Sequence, residues 1–234
     1  MELAGSNEDF LRVRAFAAHF DEFGGNSYVI PMTDERYEQF KEWVDVENIM
    51  DYLIARTYLS DFDMFNQKYW RTTDYAVKWR AIFFDSDFAM SSSSGNVLYH
   101  YFNVKGVPSA NGSLSQMDIF CGLNSNDTWR HDFIVRYIYV MKYHLNAERL
   151  TALLDEMTTV MSTEMDRHIA RWGKPGTRAS WEAEIASLRQ MLVDRPEIAA
   201  SQLRYYYGLS LEQYAALEAE ADAYYQQHGA PSHR

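Results

Sequence analysis

The chain has 234 residues, of which 47% are hydrophobic, and a formal net charge of −11 at pH 7. This size suffices for one compact domain or one lobe of a larger protein, and the negative charge argues against a nucleic-acid partner. The single cysteine excludes an internal disulfide and a cysteine-based metal cluster. No apolar stretch is long enough to span a bilayer, and the first residues lack the basic-then-apolar pattern of a signal peptide.

The first part of the chain is predicted to contain short helices and one extended segment. Residues 6 to 20 show a helical pattern that stops at Gly24-Gly25-Asn26, and residues 27 to 31 are expected to be extended. Thr33 is expected to cap a further helix, because two glutamates follow it within the first turn.

An amphipathic helix is predicted to begin after Asp45, which is placed to cap it, and to end near Leu59. Its apolar residues follow one stripe of a 3.6-residue period: Val46, Ile49, Met50, Leu53, Ile54 and Thr57. Residues 68 to 72 and 77 to 84, rich in aromatic and β-branched side chains, predict two antiparallel strands. The second strand ends in a nearly continuous apolar run, so its last residues are expected to be buried on both faces.

Two pairs of aspartates follow these elements. Asp61 and Asp63 come after the helix, and Asp85 and Asp87 come after the second strand. A lone Asp-x-Asp commonly serves a local turn, but two pairs that are each fixed by an apolar element also fit a metal or acid–base site. Hard oxygen ligands with no Cys or His nearby favour Mg²⁺, Mn²⁺ or Ca²⁺ over zinc.

This segment resembles the CotH family of atypical protein kinases, first known from bacterial spore coats. The residues that carry the resemblance are Ser60-Asp61-Phe62-Asp63, Asn66, Tyr69-Trp70, Lys78-Trp79 and Phe84-Asp85-Ser86-Asp87. The family has Gly-Asn where this chain has Ser60-Asp61, and Trp where it has Phe84. The resemblance extends over residues 7 to 210. It implies an α+β, predominantly helical fold: an atypical kinase-like C-lobe with a small antiparallel β-hairpin that carries the acidic motifs.

The resemblance also implies roles for the acidic residues in transferring a phosphoryl group from ATP to Ser or Thr of a protein substrate. Asp63 falls on the catalytic residue and Asp85 on the ligand of the nucleotide's Mg²⁺ or Mn²⁺. Asn66 and Asp87 are expected as further residues of the nucleotide site. Asp61 is expected either to join the metal site or to point to solvent, because its charge lies beside that of Asp63.

Three segments are predicted: 1–43 as a remnant of an inter-lobe connection, 44–210 as the catalytic lobe, and 211–234 as a C-terminal helix and tail. Because the sequence holds no glycine-rich phosphate loop, the chain is expected to be the C-terminal part of a longer kinase, without its N-terminal lobe. The resemblance implies a location in a spore coat, at the cell surface or outside the cell.

Residues from 126 onward are predicted to be helical. The apolar stripe between Leu150 and Met161 is expected to belong to the core, Arg195-Pro196 is expected to start a new helix, and Gly208 is expected to stop it. Four serines followed by Gly95 predict a mobile loop.

Two other functions remain open from the sequence. The chain fits a catalytically inactive kinase-like scaffold or binding module of a coat or cell-surface assembly. It also fits an enzyme of another class that uses a pair of carboxylates, such as a glycosidase.

Overall fold

The computed structural model describes residues 8–17, 20–23, 26–29, 31–63, 66–102 and 118–228. The described part is predominantly helical, with two small antiparallel hairpins, which confirms the predicted α+β class. None of its helices combines the length and the apolar character that a membrane span requires. The elements are α1 (Glu8–Ala17), β1 (Phe20–Phe23), β2 (Asn26–Val29), α2 (Asp34–Trp43), α3 (Val46–Tyr58), β3 (Lys68–Trp70), β4 (Arg80–Ile82), α4 (Leu98–Phe102), α5 (Asp118–Asn124), α6 (Asp127–Tyr143), α7 (Ala147–Ser162), α8 (Met165–Trp172), α9 (Arg178–Tyr207) and α10 (Leu211–His228).

The chain divides into two compact units. The first comprises Met1–Ala89 and Asn96–Tyr137, and the second comprises Met90–Gly95 and Ile138–Arg234. The division into segments 1–43, 44–210 and 211–234 stays a prediction.

Helix α3 forms the centre of the first unit. The Asp45 side chain accepts a hydrogen bond from the Asn48 amide, and the helix ends at Leu59, so both predicted boundaries are confirmed. Nine of its thirteen residues are buried, which is more than one stripe of an amphipathic helix provides. The buried set contains the predicted stripe together with Tyr52, Arg56 and Tyr58.

The predicted hairpin is present as β3 and β4, which pair antiparallel with Lys68 opposite Ile82 and Trp70 opposite Arg80. The expectation that the end of the second strand is buried on both faces is wrong. Ile82 is 40% exposed and Phe83 is 45% exposed, whereas Ala81 is buried. Strand β4 packs against α3 on one face. Its other face lies open in the described part of the chain, so the apolar residues on that face are exposed.

Residues 79–81 are fixed to the end of α2 and the beginning of α3 by three hydrogen bonds. The Trp79 amide donates to the Trp43 carbonyl at 2.9 Å, and the Asp45 amide donates to the Trp79 carbonyl at 3.0 Å. The Ala81 amide donates to the Asn48 side chain at 2.7 Å. The hairpin is therefore attached to the helix through its backbone and not only through apolar contacts.

Helix α1 lies close against α5. A Cβ atom on Gly122 would come within 2.1 Å of the Ala17 carbonyl oxygen, so only glycine permits this approach. Arg36 of α2 donates a hydrogen bond to the Phe16 carbonyl, and the rings of Phe16 and Trp43 are in edge contact at 4.9 Å. These contacts fix the position of α1 within the first unit.

The second unit corrects two sequence-based predictions about helices. Helix α9 runs without a break through Pro196, although Arg195-Pro196 was expected to begin a new helix. Proline removes one backbone donor, and the buried residues Leu192, Arg195 and Ala199 hold the helix on both sides of it. The predicted stop at Gly208 is confirmed, with the left-handed conformation that glycine favours.

The apolar stripe of α7 is the second correction, because only Leu154 of this helix is buried. Leu153, Met157, Val160 and Met161 are between 49% and 69% exposed, so they do not belong to the core. One edge of the stripe faces α9, where Arg189 pairs with Asp155, and the rest lies open in the described part of the chain.

The serine-rich loop is held by α9. Buried Arg195 donates to the carbonyls of Ser93 and Gly95 at 2.8 and 3.0 Å, and Gln202 donates to the Ser94 carbonyl at 2.9 Å. Three consecutive carbonyls of the loop, at residues 93–95, therefore have donors on α9, and the mobility of the loop stays a prediction.

We predict that Asn126→Ala lowers the free energy of unfolding by about 2–3 kcal/mol. The Asn126 side chain is buried, accepts from the Trp129 amide, and donates to the Met32 carbonyl and the Asp34 carboxylate. Urea unfolding followed by circular dichroism measures the loss. Asn146→Ala is the control, because Asn146 caps α7 locally, and its loss is expected to be about 1 kcal/mol. Equal losses would contradict the long-range role of Asn126.

Candidate functional site

Both acidic turns are attached to one buried arginine, Arg56, near the end of α3. Its side chain is fully buried, and it forms an ion pair with Asp61. The same guanidinium donates to the Phe84 carbonyl at 2.6 Å, the Asn66 carbonyl at 3.2 Å and the Asp85 carbonyl at 3.4 Å. It therefore joins three segments: the turn after α3, the segment before β3 and the turn after β4.

The surroundings of Arg56 keep it charged. Burial is the largest single influence and lowers the pKa of Arg56, but Tyr52, the hydrogen bond with Asp61 and the charges of Asp61 and Tyr101 together outweigh it and raise that pKa. The guanidinium also lies 5.2 Å from the Tyr52 ring centroid and 4.9 Å from that of Phe83. A buried charge costs several kcal/mol unless it is paired and hydrogen-bonded, and these carbonyls and the Asp61 carboxylate supply acceptors for both terminal nitrogens, whereas Nε has none among the described residues.

The first acidic turn begins at Ser60, which is buried and adopts a left-handed conformation with φ of 56°. Asp61 follows and is fully buried, so the expectation that it points to solvent is wrong. One of its oxygens binds Arg56, and the other accepts a hydrogen bond from the Asp63 amide at 3.0 Å. Both oxygens of Asp61 therefore already have partners inside the protein. Its contacts give Asp61 the role of holding Asp63 in place.

Asp63, Asn66 and Asp85 converge at one point. The Asn66 side-chain nitrogen donates to Asp63 Oδ2 at 2.7 Å and to Asp85 Oδ2 at 2.8 Å. Because the two hydrogen bonds share one nitrogen atom, these carboxylate oxygens lie no more than about 5.5 Å apart. The two acids come from turns 22 residues apart in sequence, and the amide between them offsets the repulsion of two like charges.

The second acidic turn presents one carboxylate to this centre. Asp85 is exposed and has a φ of 55°, a left-handed conformation that aspartate tolerates better than most residues. Asp87 is also exposed, and its carboxylate forms no hydrogen bond or ion pair with the described residues. The structure thus brings together three of the five predicted site residues, keeps Asp61 behind them and leaves Asp87 at the surface.

The donor atoms of this centre fit a magnesium ion bound together with a nucleotide. No group of three or more His, Cys, Asp or Glu side chains within the described ranges forms a metal site. Mg²⁺ is commonly held by one or two carboxylates and by substrate phosphates, and not by a complete protein cage. Asp85 and Asp63 supply carboxylates, and rotation of the Asn66 amide presents an oxygen in place of its nitrogen.

Arg56 was not among the predicted site residues, although its position in the sequence carried a signal. Arg56 lies seven residues after Ile49 and three after Leu53, in phase with the buried stripe of α3. A charged residue in phase with a buried stripe needs a buried partner, and Asp61 is the acidic residue that follows at the helix end.

We predict that Ser60→Gly raises the free energy of unfolding by about 1 kcal/mol, because glycine adopts the left-handed conformation without strain. The change also removes a buried hydroxyl that has no hydrogen-bond partner among the described residues. Ser60→Ala separates the two effects, since it removes the hydroxyl and keeps the strain. Urea unfolding compares the three proteins. If the free energy of unfolding of Ser60→Gly does not exceed that of Ser60→Ala, backbone strain at this turn is excluded.

A second prediction concerns the charge-conserving variant Arg56→Lys, which is expected to lower the free energy of unfolding by about 2–3 kcal/mol. An ammonium group keeps the positive charge but does not span acceptors on three separate segments. Arg136→Lys is the matched control, because Arg136 forms its ion pair with the half-exposed Asp51, and its loss is expected to stay below about 1 kcal/mol. The same denaturant measurement serves both variants, and equal losses would contradict the role of Arg56.

Residues 10–199 match the model of the family described as CotH kinase protein. No curated protein and no solved structure shows a significant match to the chain. The matched range contains α2, α3, both acidic turns and the larger part of α9. The chain therefore belongs to the CotH kinase protein family.

Proposed function

We propose that this chain transfers the terminal phosphoryl group of ATP to a serine or threonine hydroxyl of a protein, in the presence of Mg²⁺ or Mn²⁺. The observation that carries the proposal is the convergence of Asp63 and Asp85 on the Asn66 side chain. Family membership supports kinase chemistry in general, and this geometry supports the assignment of individual roles.

Asp63 is the residue that would receive or orient the proton of the attacking hydroxyl. Its backbone is fixed by the Asp61 side chain, and one carboxylate oxygen is held by Asn66 at 2.7 Å. Fixed orientation matters here, because phosphoryl transfer depends mainly on positioning and on stabilising charge. The extra charge of Asp61 does not act on Asp63 as a free neighbour, since Arg56 neutralises it.

Asp85 and Asn66 are the residues that would hold the metal ion of the nucleotide, with Asp87 as a nearby carboxylate outside the hydrogen-bonded cluster. When bound, Mg²⁺ supplies neutralisation of phosphate charge. Asn66 has a role with and without the ion. Without it, the side-chain nitrogen lies between the two carboxylates and donates to both; with it, rotation of the amide would turn the side-chain oxygen toward the metal.

Lys68 contributes a positive charge beside this centre. Its ammonium lies 4.2 Å from the ring centroid of Phe84, the residue that precedes Asp85. Lys68 is exposed, and no carboxylate in the described part of the chain pairs with it. We assign to it a contact with the phosphates of the bound nucleotide.

A glycosidase is the less favoured alternative, although the short carboxylate separation alone would permit a retaining enzyme. In such an enzyme the two carboxylates flank an open sugar-sized cleft, whereas here one side-chain amide bridges them. An inactive kinase-like scaffold is the second alternative. Only a measurement of phosphoryl transfer distinguishes it from an active kinase.

The proposal is tested by two readouts on the purified chain. Titration calorimetry measures binding of ATP with and without Mg²⁺, and incorporation of radioactive phosphate from labelled ATP into a serine-rich acceptor protein measures transfer. Asp85→Asn is expected to lose metal-dependent ATP binding and transfer together. Asp63→Asn is expected to keep ATP binding and to lose transfer by about 10²-fold or more, because it removes the general base.

Asp132→Asn serves as the control, because it removes one exposed carboxylate from α6 and is expected to change neither readout. ATP binding without transfer in the unaltered chain would favour the inactive scaffold. Transfer that survives Asp63→Asn would contradict the assigned base, and the absence of both binding and transfer would contradict the proposed function.

A further inference from the structure

The first unit contains an open pocket that is separate from the acidic centre. It encloses about 400 Å³ between α1, the end of α2 and the turn of the β3–β4 hairpin. Four aromatic rings contribute to its wall, from Phe16, Trp43, Tyr75 and Trp79. Asp63, Asn66 and Asp85 do not line it. The volume lies within the range of small-molecule sites, which are mostly apolar with a few charged groups.

Arg71 already occupies the position where these rings would attract a cation. Its guanidinium lies 3.8 Å from the Tyr75 ring centroid and 5.3 Å from that of Trp79. It also forms an ion pair with Asp9, which accepts a further hydrogen bond from the Tyr75 hydroxyl at 3.1 Å. Both hydrogen bonds lower the pKa of Asp9, and the one from Arg71 contributes more than the one from Tyr75. The pocket is therefore not built for a cationic ligand.

The charges left over at the pocket are mainly positive. Arg12 forms no hydrogen bond or ion pair with the described residues, and the Lys78 ammonium donates to the carbonyl of Lys41 but pairs with no carboxylate. Glu42 is the one acid there besides Asp9. Three cations, Arg12, Arg71 and Lys78, face two acids, Asp9 and Glu42, so the pocket carries an excess of one positive charge in a chain of net charge −11.

The ring surfaces that face the pocket also remain accessible. Trp43 is 42% exposed and Tyr75 is 68% exposed. A flat ring system placed against them would bury apolar surface on both partners and stack on aromatic faces. An anionic group on such a ring would find Arg12 and Lys78 at the wall of the same pocket.

We propose that this pocket binds a small aromatic anion, that is, a flat ring system that carries one carboxylate, sulfonate or phosphate. The site acts without Mg²⁺ and without the residues of the acidic centre. A peptide that inserts an aromatic side chain would be a different occupant of the pocket, and competition between naphthoate and such a peptide distinguishes the two.

The probe is anilinonaphthalene sulfonate, a fluorescent aromatic anion, and its uncharged parent anilinonaphthalene is the matched neutral probe. We expect the sulfonate to bind at one equivalent and to be displaced by naphthoate. Replacing Arg12 and Lys78 together by Gln is expected to weaken sulfonate binding about tenfold and to leave binding of the neutral probe unchanged. Trp43→Ala and Tyr75→Ala are each expected to weaken both probes.

Two controls separate this site from the rest of the molecule. The double variant Arg167→Gln with Lys174→Gln removes the same charge from exposed positions of the second unit, and it is expected to bind both probes normally. Asp85→Asn and removal of Mg²⁺ are also expected to change nothing, so failure of the kinase proposal would leave this result intact. Circular dichroism verifies that each variant is folded.

Three outcomes would overturn the inference. Sulfonate binding that survives Trp43→Ala or exceeds one equivalent would place the probe elsewhere, for example on the open stripe of α7. An equal loss for both probes in the Arg12 and Lys78 variant would exclude an anion site. Displacement of the sulfonate by an acidic peptide with one aromatic residue, but not by naphthoate, would assign the pocket to a peptide.

Discussion

The buried guanidinium of Arg56 is the interaction on which the candidate site depends. An arginine inside a protein core is costly unless it is paired and hydrogen-bonded, and here the acceptors of its two terminal nitrogens come from three separate segments. These contacts constrain the geometry, because the two acidic turns and the Asn66 segment must all lie within hydrogen-bonding distance of one guanidinium. The convergence of Asp63 and Asp85 is a consequence of that arrangement.

The same arginine explains why Ser60-Asp61 is tolerated where the resembling family has Gly-Asn. Asp61 replaces a neutral side chain by a charged one, and its ion pair with Arg56 neutralises that charge inside the core. Ser60 keeps the left-handed backbone that glycine provides without strain. Two residues of this turn thus depart from the family pattern, and the contacts of Arg56 and the left-handed backbone of Ser60 accommodate them.

Local signals predicted the helix boundaries and the acidic turns, because caps and turn residues act within a few positions of the chain. Asp45, Thr33 and Gly208 were predicted in this way and confirmed. Burial could not be predicted with the same success, because it depends on which neighbours cover a face. The run of Ile82 and Phe83 and the stripe of α7 are as apolar as core segments, yet each has a covering element on one side only. The burial of Arg56 carried a signal in its phase with the stripe of α3, but its backbone partners at Asn66, Phe84 and Asp85 could not be predicted, because no sequence pattern displays a carbonyl contact between distant segments.

The hairpin carries the acidic residues at one end and the aromatic pocket at the other, and each end is fixed by its own arginine. A ladder of three residue pairs is too short to be stable alone, so its position must come from attachments at its ends. Arg56 holds the open end, next to Asn66 and Asp85, whereas Arg71 holds the turn end against Asp9 of α1. Between them, Asn48 of α3 binds the Ala81 amide.

From Asn48 to Arg56 the helix advances about 12 Å, and from Ala81 to Phe84 an extended chain advances about 10 Å. This match lets one straight helix fix the strand at two points. The precision of the acidic centre therefore depends on the whole length of α3, and not only on the turns that carry the carboxylates.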